Sequence, residues 1–560
     1  MCLTQKKGDV QMFKPKLFTC LKTYSKAQLI SDIIAGIIVA IIAIPLSVAL
    51  GIASGVSPQQ GLITAAIGGF IVSLLGGSRV QIAGPTGAFV VIVYGIVSEY
   101  GIEGLKIATM MAGIILVLMG LFKVGNLIKF IPYPITTGFT SGIAVVIFST
   151  QIKDFLGLKI SGVPADFIPK WKMYFSNLDS INLAALILGV VTILILVLLP
   201  KISPKIPAAL IGIIVSTGMI YLFDLNVETI GSQFGVIDSH ISIPSFSGFS
   251  FNKIQLLMMP AFVIAILGSV ESLLSAVVAD GMIGGNHRSN TELIAQGVGN
   301  FCSGLFGGVP VTGAIARTSA NVKLGGRTPV AGIVHAIVVF LIMILFMPYF
   351  SYVPMATLAG ILIVVSYNMG EWEMFTHLKK YPKSDIIVFL TTFLLTIIFD
   401  LVLAIEVGMV LSAFLFMMRM ANISKTSFVD LEMHHTGDKM RFPKDSFSQK
   451  NIMYYEIEGP FFFGAADKFL QAIKQISKMP KVLIISLKDV PTIDATGYYA
   501  LERFCENCER HKTKALFVGL NDELNNRLKK YGFIKNVGEE CFLNNINEAK
   551  EYAQEIIGNK

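Results

Sequence analysis

Long apolar runs recur through the first three quarters of this 560-residue chain and then stop. A membrane-crossing helix needs about 20 mostly apolar residues. Candidates lie near 31–51, 59–76, 84–99, 104–123, 131–150, 180–199, 206–223, 255–280, 290–307, 312–323, 328–349, 353–369, 383–401 and 403–420. That makes about 14 spans, several of them short. Some connections are tiny, as around Asp400. Past about 450 the period changes. Positions 452–457 read as a strand, 465–478 have helical spacing, and 481–487 read as a buried strand. A helix follows Gly497, then a strand at 515–518, then helices. Alternating strands and helices predict a small α/β domain with a sheet.

The pattern thus predicts an α-helical polytopic membrane protein with a C-terminal α/β domain. The expected segments are an N-terminal stretch 1–30, a transport region 31–420, a linker 421–447 and the domain 448–560. About 110 residues suffice for such a domain's core. Composition agrees. Of 45 basic and 37 acidic residues, 39 lie after position 420. Charged residues are 15% overall, against roughly 25% in an average soluble domain.

The net charge of +8 could indicate nucleic acid. Here much of it lies in short loops between apolar runs. With the N-terminus inside, the inner loops carry Arg79, Lys123, Lys129, Lys201, Lys205, His287, Arg288, Lys323, Arg327, Lys379, Lys380, Lys383 and Arg419. The outer loops near 100 and 225–250 carry Glu99, Glu103, Asp224, Glu228 and Asp238. This alternation is a topology signal, with both termini cytoplasmic in a cytoplasmic membrane. No nucleic-acid partner is expected. Lys6, Lys7, Lys14, Lys16, Lys22 and Lys26 precede the first run, without the cleavage site of a removable signal peptide. The six cysteines are scattered. Cys505-x-x-Cys508 with His511 nearby has metal-like spacing, but a second ligand pair is not evident. No metal or cofactor is expected. The chain has no phosphate loop and no evident nucleophile–base pair, so it does not read as an enzyme.

Two of the short spans share a local design. One reads Val80-Gln81-Ile82-Ala83-Gly84-Pro85-Thr86-Gly87-Ala88-Phe89, the other Gly307-Gly308-Val309-Pro310-Val311-Thr312-Gly313-Ala314-Ile315-Ala316-Arg317-Thr318. Each has an extended stretch, Thr-Gly-Ala, then a helix-like run. Irregular backbone at membrane depth is tolerated where it is buried in protein or lines a cavity. The two segments are the third and tenth spans, so they correspond if seven spans are repeated by seven. The repeats would run over about 31–225 and 255–420. An odd number inverts the second copy, and paired broken segments then point to a midplane site. A half-helix N-terminus carries unpaired N–H groups and partial positive charge. Two of them suit an anion, and Arg317 adds a permanent charge. One segment alone would equally suit close helix packing.

Glu271 lies in the middle of the eighth span, where a carboxylate is costly and usually functional. It could take a proton or help hold a cation, with Ser275 one turn on, or it could serve only a structural hydrogen bond or a pair with Arg317. Asp280, Glu292, Asp385 and Asp400 fall near span ends, where a solvated or interfacial role is the default. Glu406 and His335 lie deeper and carry no assigned role.

These residues resemble the SulP family of anion transporters, the sulfate permeases, over nearly the whole chain. The matching stretches are Ala35-Gly36 through Ile44-Pro45, Ser57-Pro58 to Gly61-Leu62, Gly77-Ser78-Arg79 with Gly84-Pro85, Glu271 to Asp280, and Gly313 to Thr318. The tail resembles a STAS domain, with Asp494-Ala495-Thr496-Gly497 at its loop-to-helix motif. The resemblance implies a seven-plus-seven inverted repeat, core and gate domains, a homodimer and elevator-like alternating access. It puts Thr86, Gly87, Ala88, Ala314, Ile315, Ala316 and Arg317 at the substrate, with Glu271 and Ser275 for ion coupling. Thr496 would be a phosphorylation position beside a cytoplasmic partner surface, while Asp494 could equally be a helix cap. Thr86 stands where many animal relatives have Phe, and Leu46 where the family often has Gln. A bicarbonate-type branch tends to carry Asp at the Glu271 position and lacks Arg at 317. Glu271 and Arg317 are therefore closer to sulfate or dicarboxylate carriers, with a proton rather than sodium as the coupling ion. The expected function is anion:proton symport, with an exchanger or channel-like conductor on the same fold as the alternative. A uracil/xanthine-type permease would usually lack the STAS tail. A regulatory scaffold would not need the paired site.

Overall fold

The computed structural model describes residues 13–126, 132–160, 162–164, 166–203, 206–235, 250–399, 401–423, 425–429, 451–476 and 479–558. Lys6, Lys7, Lys129, Lys205, Asp238, Asp400 and most of the linker 421–447 lie outside them. The chain divides into two compact units, Met1–Met409 and Val410–Lys560.

The first unit is helical. Its helices are α1 (Lys26–Ala53), α2 (Pro58–Leu75), α3 (Gly87–Leu121), α4 (Tyr133–Leu156), α5 (Leu183–Ile202) and α6 (Ala208–Phe223). Then come α7 (Phe251–Ile283), α8 (Ser289–Leu305), α9 (Ile315–Lys323), α10 (Pro329–Phe350), α11 (Met355–Met369), α12 (Lys383–Ile398) and α13 (Leu401–Ile423), which runs on into the second unit. Local sequence sets the ends. Ser25 caps α1 by accepting from the Gln28 N–H at 3.2 Å. Ser57-Pro58-Gln59-Gln60 opens α2 with a capping box and proline in the first turn. α3 turns at Gly101, whose φ of 69° is open to glycine, so it supplies two spans. With α3 counted twice, α1–α13 fall on the fourteen segments read from the sequence, although α8, α9 and α12 are not among the helices long or apolar enough for a span. Among the described residues, eight helical stretches are long and apolar enough to cross a membrane by length and composition.

The order repeats. A long helix (α1, α7) is followed by a shorter one (α2, α8), then a two-residue strand leading into a helix. Strand β1 is Ala83–Gly84 before α3, and β2 is Thr312–Gly313 before α9. Packing repeats too. α1 lies against α10 and α7 against α3; α4 lies against α12 and α11 against α5. Two bundles result. One is built from α1–α3 and α7–α10, the other from α4–α6 and α11–α12. Among the described residues, the amphipathic helix Phe167–Ser176 and short helices such as Ile230–Phe234 and Trp372–Thr376 had no counterpart in the hydropathy pattern.

The second unit carries a five-stranded sheet in the order β3-β4-β5-β6-β7. The strands are β3 (Lys425–Val429), β4 (Ile452–Glu458), β5 (Val482–Asp489), β6 (Lys514–Val518) and β7 (Phe542–Leu543). β3 pairs antiparallel with β4, and the other pairs are parallel. Helices α14 (Phe463–Lys474), α15 (Ala495–Arg510), α16 (Asp522–Lys530), α17 (Phe533–Val537) and α18 (Ile546–Gly558) accompany the sheet. A cluster of Phe461, Phe469, Phe504, Phe517 and Phe533 fills one face, and Ala549 and Ala553 of α18 close the other. The sequence pattern found β4, β5 and β6; β3 and β7 are edge strands without a hydrophobic run of their own.

Candidate functional site

The two broken segments meet. β1 and β2 pair antiparallel, Ala83 opposite Gly313 and Gly84 opposite Thr312. The Ala314 N–H extends the ribbon by donating to the Ile82 carbonyl at 2.9 Å. The chain leaves this ribbon directly into α3 on one side and α9 on the other. The first N–H groups of each helix have no intrahelical acceptor, so two electropositive helix ends open at one place.

Arg317 is 4% exposed and donates through Nη2 to the Pro85 carbonyl. Among the described residues, its other terminal nitrogen, Nη1, has no partner. A Cβ on Gly84 would collide with this guanidinium, so glycine is what lets the two segments approach. Thr86 is buried, and its hydroxyl donates to Glu271 Oε2 at 2.9 Å. Glu271 is half-buried on α7, where it accepts the Thr86 hydrogen bond, while Arg317 donates to the Pro85 carbonyl. Gly87 and Ala88 are buried, with Gly87 facing Ile147 of α4 and Met369 of α11 across the boundary between the bundles. Ala314 is buried, whereas Ile315 and Ala316 present exposed side chains, so these two could serve an anion through backbone only. Ser275 is buried, and its hydroxyl lies 3.4 Å from Thr318 Oγ1.

A polar scaffold that the sequence did not announce holds this geometry. Thr318 Oγ1 accepts from the Ile82 N–H at 3.0 Å, and Asn321 donates to the Val80 carbonyl at 2.8 Å. Gln81 donates to the Ser272 carbonyl at 3.1 Å, and the Ser272 hydroxyl accepts from the Gly313 N–H at 3.2 Å. Asn300 bonds both the N–H and the carbonyl of Val311. Glu292 departs from its expected interfacial role. It is fully buried, takes the Gly77 and Ser78 N–H groups at 2.8 and 3.0 Å on Oε2, and accepts from Gln296 at 2.9 Å on Oε1. Asp280 accepts from His287 backbone and ring. The one available sequence signal was the spacing of the small residues Gly268, Ser272 and Ser275 on α7, one helix face turned to β2 and α9. His335 is fully buried with both ring nitrogens unpartnered, and Glu406 is exposed.

In the second unit, Asp494 caps α15 by accepting from the Gly497 N–H at 2.7 Å, and Thr496 beside it is exposed. Burial pushes the Cys508 thiol up to about 12 and raises Cys505 as well, which holds both in the thiol form.

The sequence profile described as the sulfate permease family matches residues 29–392, and that of the STAS domain matches 447–549. The putative sulfate transporter YvdB of Bacillus subtilis is 40% identical over 88% of this chain and 92% of its own length. The bicarbonate transporter BicA of a Picosynechococcus strain is 29% identical over 88% and 89%. Among solved structures, murine Slc26a9, titled an anion transporter in the inward-facing state, superposes with TM-score 0.86 at 18% identity, covering 98% of this chain and 96% of that one. That likeness is one of fold.

Proposed function

This chain belongs to the sulfate permease family, and from that premise we propose that it is a secondary active transporter of small anions. The observation that carries the reading is the β1–β2 ribbon. It joins two helix N-termini beside the free Nη1 of a buried arginine. Backbone N–H groups at Gly87, Ala88 and Ala314–Arg317 would bind the anion, helped by Arg317 and the Thr86 hydroxyl. The names of the relatives narrow the cargo to sulfate-like oxyanions or bicarbonate, with C4-dicarboxylates compatible with the same donors.

The coupling ion is a proton taken up by Glu271. Its carboxylate already accepts from Thr86, so protonation would free that hydroxyl to turn to the substrate. Transport proceeds by an elevator step of one bundle against the other. The protein is a homodimer in the cytoplasmic membrane, with both termini and the STAS domain (448–560) in the cytoplasm. Thr496, exposed beside a helix start, is the position for phosphorylation or for a cytoplasmic partner.

Uptake into proteoliposomes tests the reading. An Arg317→Ala, Thr86→Ala double mutant is expected to lose sulfate, bicarbonate and dicarboxylate uptake. Fluxes like those of the unmodified protein would remove the site.

A further inference from the structure

A cavity of about 340 Å³ lies away from the ribbon, where α1 ends, α4 ends, α11 begins and the helix Phe167–Ser176 folds over. Its polar lining includes Thr150, Gln151, Lys153, Asp154, Lys170 and Tyr174. Lys170 is the unusual member. It is 4% exposed, and among the described residues no hydrogen bond or ion pair reaches its ammonium group. Its stem is buried while the residue lines the cavity, so a counter-charge bound there would offset the cost of holding the cation away from bulk water. Burial lowers the Lys170 pKa, while exposed Asp166 one turn earlier works the other way. The Tyr174 hydroxyl is also buried and unpartnered, so it too can donate. Asp154 Oδ1 is the cavity's unpartnered acceptor and would repel an anion. It confines one to the side of Lys170.

The position relative to the proposed site follows from three independent elements. α3 starts at Gly87, and Tyr94, which lines the cavity, comes seven residues later. Ile147 touches Gly87's position, and Gln151 of the cavity is one turn further along α4. Met369 touches it too, and Leu362 of the cavity is two turns back along α11. At 1.5 Å per residue each path spans about 6–10 Å. All three lead from Gly87 to the same space.

We propose that this cavity is a second binding site for a small inorganic anion, held by the Lys170 ammonium with help from Lys153 and Tyr174, one step along the path from the Thr86–Arg317 site. Only the word path rests on the transport reading; the binding site does not. The volume is at the small end of ordinary ligand pockets, which suits an ion with part of its water shell.

The chain has two tryptophans, and one of them, Trp171, adjoins Lys170 with its ring 6.0 Å from Tyr174. In full-length protein carrying Trp372→Phe, Trp171 fluorescence becomes a local reporter. Sodium sulfate, bicarbonate and chloride are titrated at constant ionic strength. At least one should give a saturable change. Lys170→Met should weaken its apparent affinity roughly tenfold or more, the loss of one charge-assisted contact. Lys170→Arg should restore it, and Lys153→Met should act in the same direction more weakly. Arg317→Ala should leave the Trp171 response intact. No saturable change, a response indifferent to Lys170→Met, or one lost in Arg317→Ala would each overturn the proposal. Normal uptake by Arg317→Ala with an intact Trp171 response would sink the transport site and leave this one standing.

Discussion

Glu292 offers the sharpest test of how the broken segment is held. Its carboxylate anchors Gly77 and Ser78, just before the strand that leads into Thr86, from a helix 215 residues away in sequence. Glu292→Ala removes the acceptor for three buried donors: two backbone N–H groups and the Gln296 amide. Each orphaned donor costs about 1–3 kcal/mol, so the loss is about 3 kcal/mol at the low end. Glu292→Gln behaves differently. Its amide oxygen can still take the Gly77 and Ser78 N–H groups. Its new NH₂ faces Gln296, whose own Oε1 is unpartnered, so a flip of that amide restores the third bond. The expected cost is about 1 kcal/mol, set by weaker neutral acceptance. Thermal unfolding of purified full-length protein in one detergent ranks the three: unmodified, Gln slightly lower, Ala well below. Equal losses for Gln and Ala would refute the hydrogen-bond account and assign the effect to charge or volume. An unchanged Ala variant would refute the anchor altogether.

Other outcomes follow from single contacts. A pH gradient should drive anion uptake in the unmodified protein and not in Glu271→Gln; if the gradient has no effect on the unmodified protein, proton coupling is wrong. α3 and α8 touch backbone to backbone at Gly113 and Gly297, where a Cβ on either would lie 2.6 Å from the other's carbonyl oxygen. Gly297→Val should therefore cost about 1–3 kcal/mol by overpacking, read as a lower unfolding temperature, and a normal temperature would show that the helices can separate freely. In the STAS unit, Cys508 should resist iodoacetamide at pH 8 in folded protein and react once unfolded. Its thiolate forms only towards pH 12, so reactivity should rise as pH climbs; rapid labelling of the folded protein near neutrality would contradict its burial.

Much of the architecture was legible because lipid imposes a simple rule: apolar runs of span length become helices. The run at 31–51 became Lys26–Ala53, and the glycine near 100 became the turn that divides α3. The paired broken segments were also legible, since Gly84-Pro85-Thr86 and Pro310-Val311-Thr312 interrupt such runs twice in corresponding places. What joins them was not. The register of β1 on β2 depends on partners some 230 positions apart, and nothing local encodes that pairing. Glu292 illustrates the same limit. From its neighbours it reads as an interfacial acid, yet its burial is offset by N–H groups of Gly77 and Ser78 that only the fold delivers. Ser275 shows the same dependence on the fold: its bond to Thr318, 43 positions on, has no local sequence signal.

The proposed site also has two unlike sides, and the difference bears on movement. Towards its own bundle the ribbon is fixed by directional bonds from Ser272, Asn300, Thr318 and Asn321. Such bonds lose strength within a few tenths of an ångström or a modest angle. Towards the other bundle Gly87 meets Ile147 and Met369, which offer apolar contact. Apolar contact is non-directional and depends on area rather than alignment. A surface of that kind tolerates sliding, and methionine in particular adapts its shape to a shifted neighbour. The half-helices should therefore travel as a rigid part of their own bundle, with the Ile147–Met369 wall as the surface they slide along.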